Sequence, residues 1–125
     1  MNVEIKNNSI MSFGTHLLAE LLDCEFSILN NKEKIYQALI SAVQASGATL
    51  INAFIYKFPL RGVTGIVTLS ESHICIHTWP NYKYAAVDIF MCGKSDPYEA
   101  LHSLESSINP KSKRIKKIMR GIPNS

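Results

Sequence analysis

Apolar residues in this chain fall into short, turn-bounded runs and two longer segments with helical spacing. The runs "GTHLLAELLDC", "ATLINAFIYKF", "VTGIVTLS", "HICIHTW" and "YAAVDIFMC" are apolar, several of them rich in β-branched or aromatic side chains, which predicts five strands. Leu17, Leu18, Leu21 and Leu22 of the first run also fit a helix. In "NKEKIYQALISAVQASG" the residues Ile35, Leu39, Ala42, Val43 and Ser46 share one face and Gly47 supplies a C-terminal stop, so a helix is predicted there. "DPYEALHSLESSI" predicts a second helix, with Asp96 as cap, Pro97 at the first position and Glu99 completing a capping-box-like pattern. Leu101, Leu104 and Ile108 form its apolar stripe, and Pro110 ends it. The basic "KRIKKIMR" reads as a last, edge strand whose charges discourage pairing with another chain. The sum is α+β: a two-layer sandwich, mainly antiparallel β-sheet with two helices on one face.

Length narrows the picture: 125 residues at 46% hydrophobic composition fit a single domain, 1–125, with a real core and no room for a second module. The opening "MNVEIKNNSIMS" has no apolar run of signal-peptide length, and no stretch of about 18 apolar residues occurs, so a soluble, cytoplasmic protein without membrane contact is expected. The net charge of +3 is mild and much of it sits in "KSKRIKKIMR", which argues against nucleic acid as a partner. Three cysteines, Cys24, Cys75 and Cys92, without a CxxC pair suggest neither a disulfide framework nor a zinc ribbon. Cys24 and Cys75 read as buried small apolar residues, Trp79 and Tyr84 as core and turn anchors.

The chemistry concentrates in "SESHICIHTWP", residues 70–80. Strand alternation puts His73, Cys75 and His77 on one face and Ile74 and Ile76 on the other. Alternate positions on a strand can supply zinc ligands, with Cys92 or His102 as a fourth, but the spacing matches no established zinc pattern and no metal is expected. Taken singly, each of these side chains is as readily an inert group on a half-buried sheet.

The longer string "SESHICIHTWPNYKYAAVDIFMCG", residues 70–93, resembles the signature of the short prokaryotic S-adenosylmethionine decarboxylases, pyruvoyl-dependent enzymes of spermidine synthesis. The resemblance extends back through "FPLRGVTG" and "GTHLLAEL" and forward to "DPYEAL". Decarboxylating an α-amino acid needs an electron sink, and no standard side chain is an electrophile. What the resemblance implies is that Ser72 attacks the carbonyl of Glu71, the chain cleaves between them into a β chain 1–71 and an α chain 72–125, and Ser72 becomes the pyruvoyl group. That group would form the Schiff base with substrate. The resemblance makes Cys92 the proton donor, His77 the base of self-processing and Phe58 a substrate-binding residue stacking on adenine. Thr64 stands where the family usually has serine, and its hydroxyl keeps a supporting role in processing open.

Substrate binding is where the string departs from type. Asn81 replaces the family's ribose-binding glutamate, Lys83 its turn glycine, and Leu60 and Arg61 its usual Pro and following residue. The resemblance implies S-adenosylmethionine as substrate. Ornithine or arginine, taken by other members of the superfamily, is the alternative, and an uncleaved binding or structural module is the reading outside enzymes. If residues 72–79 and 84–92 form a hairpin, opposed residue numbers sum to about 163 or 164 and Cys92 lies across from Ser72. His77, five residues further along an extended strand, would be roughly 16 Å from Ser72. Either that strand is broken or His77 serves the site of a second protomer, and the resemblance implies a homodimer with shared active sites.

Overall fold

The computed structural model describes residues 5–6, 9–10 and 12–121. Two short strands, β1 (Ile5–Lys6) and β2 (Ser9–Ile10), pair with each other. The main body runs β3 (Gly14–Leu22), α1 (Phe26–Leu29), α2 (Lys32–Ser46), β4 (Leu50–Lys57), β5 (Val63–Leu69), β6 (Ser72–Trp79), β7 (Tyr84–Cys92), α3 (Pro97–Ile108) and β8 (Ser112–Arg120). Its six strands form one antiparallel sheet in the order β4-β5-β6-β7-β3-β8, and α2 and α3 cover one face. This is the α+β, two-layer arrangement expected from the pattern. The basic strand β8 lies at the edge, as its charges suggested.

Each layer follows from its residues. Asn31 caps α2 by accepting from the backbone N–H of Lys34 at 2.9 Å, and Gly47 ends it in the left-handed conformation at φ 78°. Asp96 accepts from the N–H groups of Tyr98 and Glu99, and α3 turns off at Asn109, one residue before Pro110. The inner faces of these helices, with Ile35, Leu39, Leu101 and Leu104, pack on the sheet residues Leu17, Leu21, Ile74, Ile76 and Ile89, all buried. Gly65 makes the contact close: a Cβ there would stand 2.7 Å from Leu39 Cδ1. The first apolar run, compatible with a helix on leucine spacing alone, is strand β3 because its neighbours β7 and β8 satisfy both of its edges.

Three features of local structure differ from the pattern. The one-turn α1 and a 3-10 turn over Pro80–Tyr82 are too short to leave a periodic signal, and the β1–β2 pair is shorter still. Trp79 is not a core anchor: it lies on the outer face, 44% exposed, and stacks on Tyr84 with ring centroids 5.2 Å apart. Cys24 is buried as expected, whereas Cys75 is only half-buried, because it shares the uncovered face with His73 and His77. Among the described residues, no helix is long and apolar enough to cross a membrane.

Candidate active site

The hairpin register places the chemistry. His73 pairs with Phe90 and Trp79 with Tyr84, so opposed numbers sum to 163, one of the two values expected. Continued to the strand end, this puts Cys92 level with Glu71, one residue short of the Ser72 partner foreseen, and Cys92 touches both. Its backbone N–H donates to Ser72 Oγ at 3.3 Å, and its thiol donates to the Glu71 carbonyl oxygen at 3.0 Å. Cys92 therefore straddles the Glu71–Ser72 peptide bond. Burial, and next the Glu71 carboxylate, push the Cys92 thiol up from its ordinary value, which keeps it protonated at neutral pH. Ser72 itself is buried on the helix-covered side of the sheet.

The second group gathers elsewhere. β6 is continuous from Ser72 to Trp79, so His77 stays roughly 16 Å from Ser72 along its own strand. Thr64, its cross-strand neighbour on β5, hydrogen-bonds its Nδ1 at 3.0 Å. A cavity of about 290 Å³ opens beside this pair, lined by Phe58, Arg61, Thr64, His77, Trp79 and Asn81 together with Thr78 and Pro80. Among the described residues no carboxylate lines it, and Arg61 brings a fixed positive charge.

The loop that forms the cavity is held from the core side. The carbonyl of Gly62, at φ 103°, accepts from the Phe58 N–H at 2.9 Å, and the Gly62 N–H donates to Asn30 Oδ1 at 2.9 Å. The buried Thr78 hydroxyl accepts from the Val63 N–H and donates to the Leu29 carbonyl, each at 2.8 Å. Short α1 is thus tied to the rim of the cavity. The four residues Phe58, Thr64, His77 and Asn81 come together, and Glu71, Ser72 and Cys92 come together, but the two groups lie at opposite ends of β6.

A third cluster had no role in the sequence reading. On the uncovered face, His16 of β3 and His73 of β6 both reach Asp88 Oδ1 of β7, His73 at 3.3 Å and His16 in closer contact. Arg120 donates to His16 Nδ1 at 2.9 Å. Because arginine can only donate, His16 Nδ1 accepts and its Nε2–H donates to Asp88. The three ligand-type atoms lie within 4.8 Å of one another. The signal available in the sequence was parity, since His73 and Asp88 fall on one face once the hairpin register is known. His102 lies apart, on exposed α3 near Glu99 at 3.8 Å.

The family model for S-adenosylmethionine decarboxylase matches residues 15–121, nearly all of the sheet and both long helices. The chain belongs to this family. It is similar to the S-adenosylmethionine decarboxylase proenzyme of Thermosipho africanus, 44% identical over 111 residues that cover 88% of this chain and 85% of that one. The proenzyme of the same name from Methanococcus maripaludis strain S2 is also 44% identical, covering 87% and 90%. Among solved structures, the adenosylmethionine decarboxylase of Aquifex aeolicus superposes with a TM-score of 0.84 at 35% identity, covering 91% of this chain and 95% of that one.

Proposed function

We propose that this protein is a carboxy-lyase that converts S-adenosylmethionine to its decarboxylated form for spermidine synthesis, after cutting itself between Glu71 and Ser72. The observation that carries this reading is Cys92, whose two donors engage the two residues flanking that bond. The thiol polarises the Glu71 carbonyl while the amide holds Ser72 Oγ beside it. Attack by Oγ on the carbonyl carbon forms an ester as the C–N bond breaks. Loss of the Ser72 α-proton to a base expels the Glu71 carboxylate, and hydrolysis of the resulting enamine releases ammonia and leaves a pyruvoyl group at position 72. That group, when formed, supplies the electron sink for loss of carbon dioxide. The residues around position 72 fit it: a buried serine, a donor to the preceding carbonyl, and a protonated thiol beside the residues that flank the bond to be cut.

His77, with Thr64, is the base of self-processing, and it acts in a homodimer in which each site combines the Ser72 end of one chain with the His77 end of the other. The continuous strand β6 supports this, because it keeps the two ends of one chain apart. So does the uncovered sheet face, where Phe54, Tyr56 and Trp79 are each about half exposed. Two such faces stacked about 10 Å apart, with the twofold axis running across the strands, bring the end of one β6 over the opposite end of the other.

Phe58 offers the flat face for adenine and Asn81 the hydrogen bond for ribose. Ornithine and arginine carry no flat ring to set against Phe58 and Trp79, which line the cavity, and this favours S-adenosylmethionine. Intact mass and labelled carbon dioxide release test the whole reading. Two chains and release from S-adenosylmethionine are expected; a whole chain, or release from ornithine or arginine alone, refutes it.

A further inference from the structure

Four non-glycine residues among the described ones have positive φ: Asp23, Glu71, Lys83 and Asn109. Aspartate and asparagine tolerate the left-handed region through local hydrogen bonding, but glutamate has no such relief. Glu71, at φ 60°, is also the residue whose carbonyl lies in the bond to be cut. It is the second of two residues, Ser70 and Glu71, that join β5 to β6 across the pair Leu69 and Ser72. Two-residue hairpins favour turns whose left-handed positions are glycine or asparagine, so this turn departs from the relaxed chemistry.

The turn is held from three sides. The Ser70 N–H donates to the Thr49 carbonyl at 3.2 Å, the Leu69 and Ser72 pairing closes its base, and Cys92 binds the Glu71 carbonyl at 3.0 Å. A backbone conformation this disfavoured persists only where its surroundings over-determine it, and such places cluster at reactive sites.

We propose that Glu71 is a positioning residue for self-cleavage, its left-handed backbone a loaded conformation that the acyl shift to Ser72 releases. The proposal rests on the self-processing reading above. In the shift, the bond from the Glu71 carbonyl carbon to the Ser72 nitrogen breaks, a bond to Oγ forms, and the hydroxyl proton goes to the departing nitrogen. The path from that carbon to Ser72 Cα then runs through Oγ and Cβ instead of through nitrogen alone. One added atom slackens the turn, and Glu71 relaxes toward negative φ.

The test compares cleavage rates of freshly synthesised proenzyme on denaturing gels for wild type, Glu71→Ala, Glu71→Gly and Glu71→Asn. Alanine keeps the backbone penalty and removes the carboxylate, so its rate reads what the carboxylate contributes, and it is expected to cleave faster than the glycine and asparagine variants. Glycine and asparagine remove the penalty and are expected to slow cleavage roughly 5- to 30-fold, the rate equivalent of the left-handed cost. Melting temperatures in the uncleavable Ser72→Ala background give a readout independent of chemistry: Glu71→Gly or Glu71→Asn there should melt higher than Ser72→Ala alone. Glycine and asparagine variants that cleave as fast as wild type, alanine slowed as much as glycine, or no rise in melting temperature overturns the loaded turn while leaving self-cleavage intact. A wild-type chain that never cleaves overturns both.

Discussion

Cys92 is asked to do two things, and one substitution separates them from a merely structural role. Cys92→Ala loses the donor to the Glu71 carbonyl and the proton source for product, so cleavage should slow and turnover of the cleaved fraction should fall at least about a hundredfold. Single-turnover kinetics with product analysis checks this; normal turnover in the variant removes Cys92 from the decarboxylation step. At Asn81 the direction is reversed. Asn81→Glu restores a charge-assisted hydrogen bond to ribose, worth about 1.5–3 kcal/mol, and should lower the KM for S-adenosylmethionine roughly tenfold or more. The same change should leave kcat nearly unmoved, because the contact is made equally in ground and transition states. A KM that does not fall would show that Arg61 or another lining group already holds the ribose.

At the scale of elements, the turn after β6 carries its own strain. Lys83 closes the 3-10 turn at φ 54°, in a place where the sequence resemblance expects glycine, and its backbone is tied by bonds to Pro80 and Cys24. Lys83→Gly should raise stability by up to about 1 kcal/mol, the left-handed penalty less the extra entropy of glycine in the unfolded chain. Denaturant unfolding with an unchanged slope reads this directly, and a destabilised variant would mean that the lysine side chain holds the turn. This hairpin was the most legible part of the chain: alternation in "HICIHTW" and "YAAVDIFMC" gave its face, and turn length gave its register to one of two values. The role of α1 was not legible, since four residues have no period, and its place depends on Thr78 of β6 and Gly62, just before β5, reaching Leu29 and Asn30 from far along the chain. Trp79 was misread for a related reason. Alternation assigns it to a face but does not say which face the helices cover.

For the whole molecule, the separation of the two half-sites makes a prediction about chains in pairs. Ser72→Ala and His77→Ala should each fail in self-cleavage alone, while a mixed dimer contains one site with an intact serine from one chain and an intact histidine from the other. Co-expression with different tags should restore cleavage of the His77→Ala chain in the mixed fraction. If pull-down shows mixed dimers and that chain remains whole, His77 works within its own protomer.

Local patterning set most of the element types: β-branched and aromatic runs mark β5 to β7 as strands, Asp96 starts one helix and Gly47 stops another, all within a few residues of chain, whereas β3 became a strand only through its neighbours. The reactive string around Ser72 was visible for the same reason, because its spacing is a property of one hairpin. Strand order is different. That β3 enters between β7 and β8, and that His16 thereby meets Asp88 and His73, depends on pairings about 70 to 100 residues apart in sequence, which no short window contains. The division of the site into two ends of one rigid strand likewise arises from closure of the sheet around β6, whose hydrogen bonds on both edges leave it no freedom to bend His77 toward Ser72.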